Sequence, residues 1–298
     1  MNRSPTTIDR GLLAELPLPE HESGQGKAGR GKLLLVAGSA GLPGAAILAA
    51  RAALRVGCGT VRVAAPRSVA TAIGVAVPEL MVVPLPEGDD GTVAESALEV
   101  LERQFKPCDA AVIGPGLGSG SGVGRLCVGF LAASPLPTVV DAGALLAWAE
   151  AGSPAGPAPR ILTPHVGEMA GMSNLDPEGI GRDRDKVAAR LARQWGAVLA
   201  LKGAETVVAG AGLYLNTAGS PGLGTAGSGD VLAGVVGGLL ARGAAPTAAA
   251  VWGVHIHALA GEVAAARHGV DGMIASDVVE ALPEAIRSLL EPTRNPHR

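Results

Sequence analysis

From residue 32 onward, short apolar runs alternate with longer stretches of helical periodicity. Residues 32–37 read KLLLVA between glycines, too short for a helix and too uniformly apolar for a half-exposed strand, so they predict a buried strand. Residues 43–56 follow with helical spacing and Pro43 in a first-turn position. The same alternation predicts strands at 60–65, 80–85, 109–113, 138–141, 160–163 and 198–202. Helices are predicted near 68–75, 93–105, 122–133, 144–149, 167–172 and 182–195. Thr206–Ala209 and Leu213–Asn216, joined by Gly210-Ala211-Gly212, predict a hairpin. The remainder predicts helices at 230–242, 246–268 and 276–290, the last capped by Ser276.

Nearly continuous apolar strands separated by helices imply an α/β fold, with a mostly parallel sheet covered on both faces. Such sheets bind ligands beyond the C-terminal ends of their strands. Those ends carry Gly38-Ser39, Gly114-Pro115-Gly116, Asp141-Ala142, Thr163-Pro164-His165 and Lys202-Gly203. No fixed-period repeat and no shift in composition divides the chain, so residues 1–298 are expected to form one domain, with 1–30 as an N-terminal arm. Residues 151–159, rich in Gly, Pro and Ala, predict a surface loop.

One loop concentrates the chemistry. Asn216 to Asp230 reads NTAGSPGLGTAGSGD and runs straight into the apolar stretch 231–240. A glycine-rich loop feeding a buried helix presents unpaired N–H groups and a partial positive charge, which suits a phosphate. Asp230 would repel a phosphate, so it is better placed as proton acceptor for a substrate hydroxyl. An ordinary N-cap aspartate after a turn fits the same letters.

Composition narrows the alternatives. Hydrophobic residues make up 48% of the 298 residues and aromatics only 2%, so the core must be built from small aliphatic side chains in close contact. A net charge of −3 gives no general affinity for polyanions, and nucleic acid is not an expected partner. Three widely spaced cysteines, Cys58, Cys108 and Cys127, suit a reducing compartment and neither a disulfide framework nor a zinc site. The arm has no apolar signal core. The long apolar region 231–261 is split by Gly243 and Pro246 and interrupted by His255 and His257, so it predicts buried helices and no membrane span. The two histidines, two positions apart on a helix, do not share a face and do not predict a metal pair.

Two lookalike motifs fail. Gly26 to Lys32 resembles a phosphate-binding P-loop, but Leu33 follows where a hydroxyl is needed and the loop precedes a strand. Gly222 to Gly227 matches G-x-G-x-x-G, yet no Asp or Glu occurs from Val231 to Gly261 to bind a ribose.

Five segments then occur in order: GSAGLPGAA at 38–46, GPGLG at 114–118, LTPHVGEM at 162–169, LKGAET at 201–206, and the loop 216–230. Together they resemble the ADP- or ATP-dependent NAD(P)H-hydrate dehydratases, a carbohydrate kinase-related branch of the ribokinase-like superfamily. TPHxGE and the N-T-x-G-x-P-G…G-x-G-D loop are the specific elements, and the resemblance covers about residues 8–290. It implies a three-layer ribokinase-like fold. It also implies a carbon–oxygen lyase that repairs the S form of hydrated NADH or NADPH. The ring hydroxyl is phosphorylated by ADP or ATP with Mg2+, and phosphate is then eliminated.

By the same resemblance Asp230 is the base, and Gly227, Ser228 and Gly229 form the anion hole. Ala45, Gly118 and His165, with Asp230, hold the hydrated nicotinamide. Lys202, Gly203, Ala204, Glu205, Thr206 and Gly229 hold the adenine nucleotide. Metal ligands are not assigned. His165 also fits an ordinary loop histidine, Lys202 a solvated strand-end charge, and Glu168 a first-turn acid favoured by the helix dipole.

The family further implies a cytoplasmic homotetramer that works alongside a separate NAD(P)H-hydrate epimerase, since this chain is too short to hold the epimerase domain of some members. The sequence departs from the family at Asp141-Ala142-Gly143-Ala144-Leu145, where the second acid of Asp-Ala-Asp-Ala-Leu is missing. It also has Ala226-Gly227-Ser228-Gly229-Asp230 in place of Gly-Gly-Thr-Gly-Asp. The competing functions are a ribokinase-like kinase for a vitamin-precursor alcohol of the thiazole or pyridoxine type, and a non-catalytic nucleotide-binding module. TPHxGE and KGAET favour the dehydratase over the kinase, and Asp230 argues against a binding module.

Overall fold

A computed structural model describes residues 4–20 and 26–290. Among these residues ten strands form one sheet: β1 (Thr6–Thr7), β2 (Lys32–Val36), β3 (Thr60–Pro66), β4 (Met81–Leu85), β5 (Ala110–Ile113), β6 (Thr138–Val140), β7 (Arg160–Leu162), β8 (Val198–Leu201), β9 (Thr206–Ala209) and β10 (Leu213–Asn216). Their spatial order is β1-β10-β9-β8-β7-β6-β5-β2-β3-β4. From β8 to β4 every neighbouring pair is parallel, and only β9 runs against its two neighbours.

Among the described residues twelve α-helices cover the two faces: α1 (Arg10–Glu15), α2 (Pro43–Arg55), α3 (Arg67–Ala76), α4 (Leu98–Phe105), α5 (Ser121–Ala133), α6 (Gly143–Glu150), α7 (Val166–Ser173), α8 (Pro177–Arg182), α9 (Arg184–Trp195), α10 (Ser228–Ala241), α11 (Pro246–His268) and α12 (Ala275–Leu290). Strand β2 shows how the layers arise. Leu33 and Leu35 join the core beneath α2, α10, α11 and α12, while Leu34 and Val36 join the core beneath α4 to α9. Successive strand residues face opposite sides, so a sheet covered twice needs apolar residues at every position. The α/β three-layer expectation holds.

Aromatic residues are concentrated in one layer. Phe105 meets Phe130, and Trp148 meets Trp195, edge to face at 5.3 and 5.6 Å. The other layer closes on glycine. Helix α10 lies so near α2 and the sheet that a Cβ at Gly234 would stand 2.1 Å from the Ala49 carbonyl oxygen, and one at Gly237 2.2 Å from Val112. Small side chains there let backbone pack on backbone.

Several boundaries differ from expectation. Helix α4 begins only at Leu98, because Val93 bridges to Glu87 and a 3-10 turn at Glu95–Ala97 intervenes. The helix expected at 182–195 begins at Arg184, and a separate helix ends at Arg182, with Asp183 out of helical geometry between them. Ser276 is not a cap. The Asp277 carboxylate accepts the Ile274 N–H at 2.9 Å, as an acid at the third helical position does when it reaches back to the cap residue. The arm contains structure: β1 pairs parallel with β10, and Asp9 caps α1 by accepting from Leu12 N. These elements are too short to register as a period. Residues 1–3 and 21–25 of the arm, and 291–298, lie outside the described residues.

The expected break at Gly243 and Pro246 separates α10 from α11. Helix α11 has the length and hydropathy of a membrane span, but 78% of its apolar window is buried inside the fold, so it is a core helix. All three cysteines are free and buried, and burial pushes their thiols up to about 11, 11 and 12, which keeps them unreactive.

The close approach of α10 makes a stability prediction. Gly234→Ala should destabilise the protein by about 2 kcal/mol through overpacking, despite alanine's better helix propensity. Gly122→Ala in α5, where an added Cβ meets nothing within 4 Å, should stabilise by roughly 0.5 kcal/mol. Urea unfolding of both variants checks the contrast.

Candidate active site

The C-terminal ends of the parallel strands converge on the first turn of α10. Gly227 precedes that turn with φ of 87°, and a side chain there would also meet Leu48 at 2.6 Å, so only glycine fits. The Gly227 carbonyl accepts the Val231 N–H at 3.1 Å and starts the helical ladder. No side chain caps this end. The N–H groups of Gly229 and Asp230 therefore have no helical acceptor, which makes the turn a site for an anion.

Asp230 lies in that first turn, partly buried. Burial, reinforced by the negative charge of Asp141 and opposed by Lys202, pushes its carboxyl from 3.8 up to about 6. A carboxylate so placed accepts a proton near neutrality far better than an exposed one.

Lys202, just beyond β8, ties the charges together. Its Nζ lies 3.1 Å from Asp141 Oδ1 and 3.7 Å from Glu168 Oε2, and it would touch a Cβ at Gly229 at 3.4 Å. Burial works against its charge, but Asp141, Glu168 and Asp230 outweigh that and hold the ammonium above its ordinary range. Lys202 is thus no solvated strand-end charge. Glu168 is more than a first-turn acid: it accepts the His165 N–H at 2.8 Å, and His165 Nδ1 accepts the Glu168 N–H at 3.1 Å. This capping box fixes the start of α7 and leaves the His165 ring largely exposed.

The other residues singled out from sequence fall on the first turn of α2 (Ala45), the loop after β5 (Gly118), and the turn from β8 into β9 (Gly203 to Thr206). Gly116 packs against Ala45, where an added Cβ would stand 2.6 Å from the Ala45 methyl. Gly118 is approached by Gly143, at which a Cβ would stand 2.7 Å from the Gly118 carbonyl oxygen. This contact accounts for glycine at 143 in this backbone. Gly203, Ala204 and Glu205 are exposed, and Thr206 opens β9 opposite Asn216.

Three supports were not legible in sequence. Arg184 of α9 donates to the carbonyls of Leu201 and Glu205, both at 2.9 Å, and braces the Lys202–Glu205 turn from beneath. His255 and His257 of α11 hold the two ends of the glycine-rich loop. Asn216 Nδ2 donates to the Ala218 carbonyl, so its Oδ1 receives His255 Nδ1–H at 2.8 Å. Ser228 Oγ meets His257 Nε2 at 3.1 Å. Burial pushes His257 down to about 4, which keeps it neutral beside the anion site. The signal was present: a polar residue on an otherwise apolar buried helix must find a partner. Sequence could not say which partner. The histidines serve separate contacts, as their spacing implied.

A family profile described as NAD(P)H-hydrate dehydratase matches residues 33–284. The chain belongs to that family. It is 39% identical over 279 residues to the ADP-dependent (S)-NAD(P)H-hydrate dehydratase of Xanthomonas campestris, covering 93% of this chain and 94% of that one. It is 41% identical over 278 residues to the bifunctional NAD(P)H-hydrate repair enzyme Nnr of Moorella thermoacetica, covering 92% of this chain and 52% of that one. The chain thus spans about half the length of that bifunctional relative. Among solved structures it resembles the ADP/ATP-dependent NAD(P)H-hydrate dehydratase of Bacillus subtilis co-crystallised with ATP/Mg2+, with a TM-score of 0.82, 27% identity, and coverage of 97% of this chain and 100% of that one. The ribokinase-like architecture is thereby established.

The site's electrostatics carry a measurable cost. A carboxyl raised from 3.8 to about 6 on folding destabilises the native state above the higher value and has no effect below the lower one. Asp230→Asn should therefore raise stability by about 1–3 kcal/mol at pH 8 and change it little at pH 3.5. Thermal unfolding at the two pH values tests both the size and the sign.

Proposed function

We propose that this protein dehydrates the S form of hydrated NADH or NADPH, using ADP or ATP as phosphate donor. The observation that carries this reading is a single carboxylate of raised proton affinity in an uncapped helix turn, beside a buried ammonium, in a chain of the dehydratase family. Asp230 takes the proton of the ring hydroxyl as its oxygen attacks the terminal phosphorus. The bond from that phosphorus to the rest of the nucleotide breaks, releasing AMP from ADP or ADP from ATP. Gly227, Ser228 and Gly229 hold the charge spread over the transferred phosphoryl group. Phosphate then leaves with the electron pair of the carbon–oxygen bond, far more readily than hydroxide would, and loss of a proton from the neighbouring ring carbon to solvent restores the double bond.

Lys202 faces the phosphates, and Gly203, Ala204, Glu205 and Thr206 form the wall for the rest of the adenine nucleotide. Ala45, Gly118 and His165 receive the hydrated nicotinamide, where the small residues leave room and the exposed imidazole supplies a hydrogen bond. Among the described residues no three His, Cys, Asp or Glu side chains form a metal cluster. Magnesium would enter with the nucleotide, held chiefly by its phosphates, and would neutralise charge developing on the transferred phosphoryl group.

Residues 1–298 are read as one dehydratase domain, in support of which one sheet runs from the arm to the last strand. A cytoplasmic homotetramer that works in step with an NAD(P)H-hydrate epimerase activity is the corresponding cellular picture, by family likeness. A ribokinase-like alcohol kinase would perform the first step alone, and family membership favours the complete reaction.

Purified protein with magnesium and hydrated NADH should restore the reduced-nicotinamide absorbance when ADP or ATP is added. Adding each separately identifies the donor. No rise with either, with nucleotide still bound, would overturn the proposal. Asp230→Asn should lower turnover by at least about a thousandfold while nucleotide affinity, measured by calorimetry, stays within a few-fold, since the base is lost and the shape kept.

A further inference from the structure

Asp141 has no assigned part in this chemistry, yet among the described residues it is the least exposed charged residue. It is 2% exposed at the end of β6. Its Oδ1 accepts from Thr163 Oγ1 at 2.7 Å and from Lys202 Nζ at 3.1 Å. The next residue, Ala142, holds φ of 49° and ψ of −133°, a conformation costly for any side chain. Gly114 presses against the Asp141 carbonyl so closely that a Cβ would stand 1.8 Å away. A buried carboxylate loses its hydration, and two neighbouring positions are specialised to keep it there.

Its partner explains the arrangement. Lys202 has Asp230 in its neighbourhood, but its ion pairs within 4 Å are with Asp141 and Glu168. A lysine paired directly with Asp230 would stabilise the ionised carboxylate and weaken it as a base. With the ammonium drawn onto Asp141, the positive charge still lies against Gly229, where the transferred phosphoryl group must sit.

We propose that Asp141 is a positioning residue for the reaction: it diverts the Lys202 ammonium from Asp230 and fixes it against the first turn of α10, so that Asp230 keeps its basicity while the anion site keeps its cation. The inference rests on Asp230 acting as the base. The charged groups acting on Asp230 are Asp141 and Lys202. Elsewhere around α10 the charges have other partners. Arg51 and Arg55 of α2 pair with Glu280 of α12. Glu262 of α11 accepts the Gly219 N–H, Asp277 of α12 accepts the Ile274 N–H, Arg267 pairs with Glu284, and buried His257 is neutral.

The sign follows from charge alone. Asp141→Asn removes a like charge near Asp230 and releases Lys202 toward it, and both changes lower the proton affinity of Asp230. Lys202→Met removes the opposing charge and raises it. The test is carbon-13 titration of the Asp230 carboxyl in the nucleotide-free protein, alongside the pH profile of kcat/KM. In the parent both should show a transition near 6. Asp141→Asn should move it down by about one unit or more, and Lys202→Met up by a similar amount. At pH 8 Asp141→Asn should lower kcat by roughly tenfold, and more than it raises the nucleotide KM.

A transition unmoved in folded Asp141→Asn overturns the inference. If that variant does not fold, an unmoved transition in Lys202→Met does so. Should the parent fail to turn over hydrated NADH, the proposed function fails, and the carboxyl titration still decides whether Asp141 and Lys202 govern Asp230 as stated.

Discussion

The close packing of α10 is the constraint on which the site depends. From Val231 to Ala241 every residue of this helix is buried. It gets that close to α2 and the sheet only because Gly234, Gly237 and Gly238 bring no side chain to the contact. Dispersion contacts and the removal of apolar area reward such closeness, and a single added methyl group would undo it. Its consequence is chemical. A helix locked along its whole length has a first turn fixed in space, so its unpaired N–H groups and Asp230 are set before any ligand arrives. Preorganised donors of this kind need no rearrangement when charge develops.

Around that turn the protein arranges polar groups in two tiers. Asp230, Lys202 and the backbone of Gly229 form the first tier. Behind it, Asp141 and Glu168 hold Lys202, Arg184 holds the carbonyls on either side of it, and His255 and His257 hold Asn216 and Ser228 at the two ends of the glycine-rich loop. The inner tier is largely buried, where an unsatisfied polar atom is costly and a bonded one is rigid. The chain thus keeps charge beside the first turn of α10 without leaving it free to wander. Neutral His257 is the instructive member: an imidazolium there would add a competing cation under the anion site, and burial prevents it.

Several features follow from the scarcity of large side chains. With aromatics at 2% of the sequence, the α10 layer is filled by Ala, Val, Leu and Gly, and backbone-to-backbone approach replaces side-chain bulk. The same economy acts beside the site. Gly116 against Ala45, and Gly118 against Gly143, bring the loop after β5 close to the first turns of α2 and α6. The glycine at 143 belongs to this packing.

Much of this was legible in the sequence by itself. The uniform apolarity of 32–37 and its counterparts determined a doubly covered parallel sheet, because a strand buried on both faces cannot alternate. The turn residues of 216–230 ahead of the apolar stretch determined a helix start suited to an anion, and Asp230 was identifiable as its only acid. TPHxGE and KGAET marked two more strand ends that reach the same edge. What only the tertiary structure decided was which groups meet across long separations. Asp141 and Lys202 are 61 residues apart, and His257 reaches back 29 residues to Ser228. No local period encodes such pairs, because they follow from strand order and helix approach, which are settled by packing the whole chain. The proton affinity of Asp230 belongs to the same class: it depends on burial and on two charges carried by other strands, so it exists only once the fold has formed.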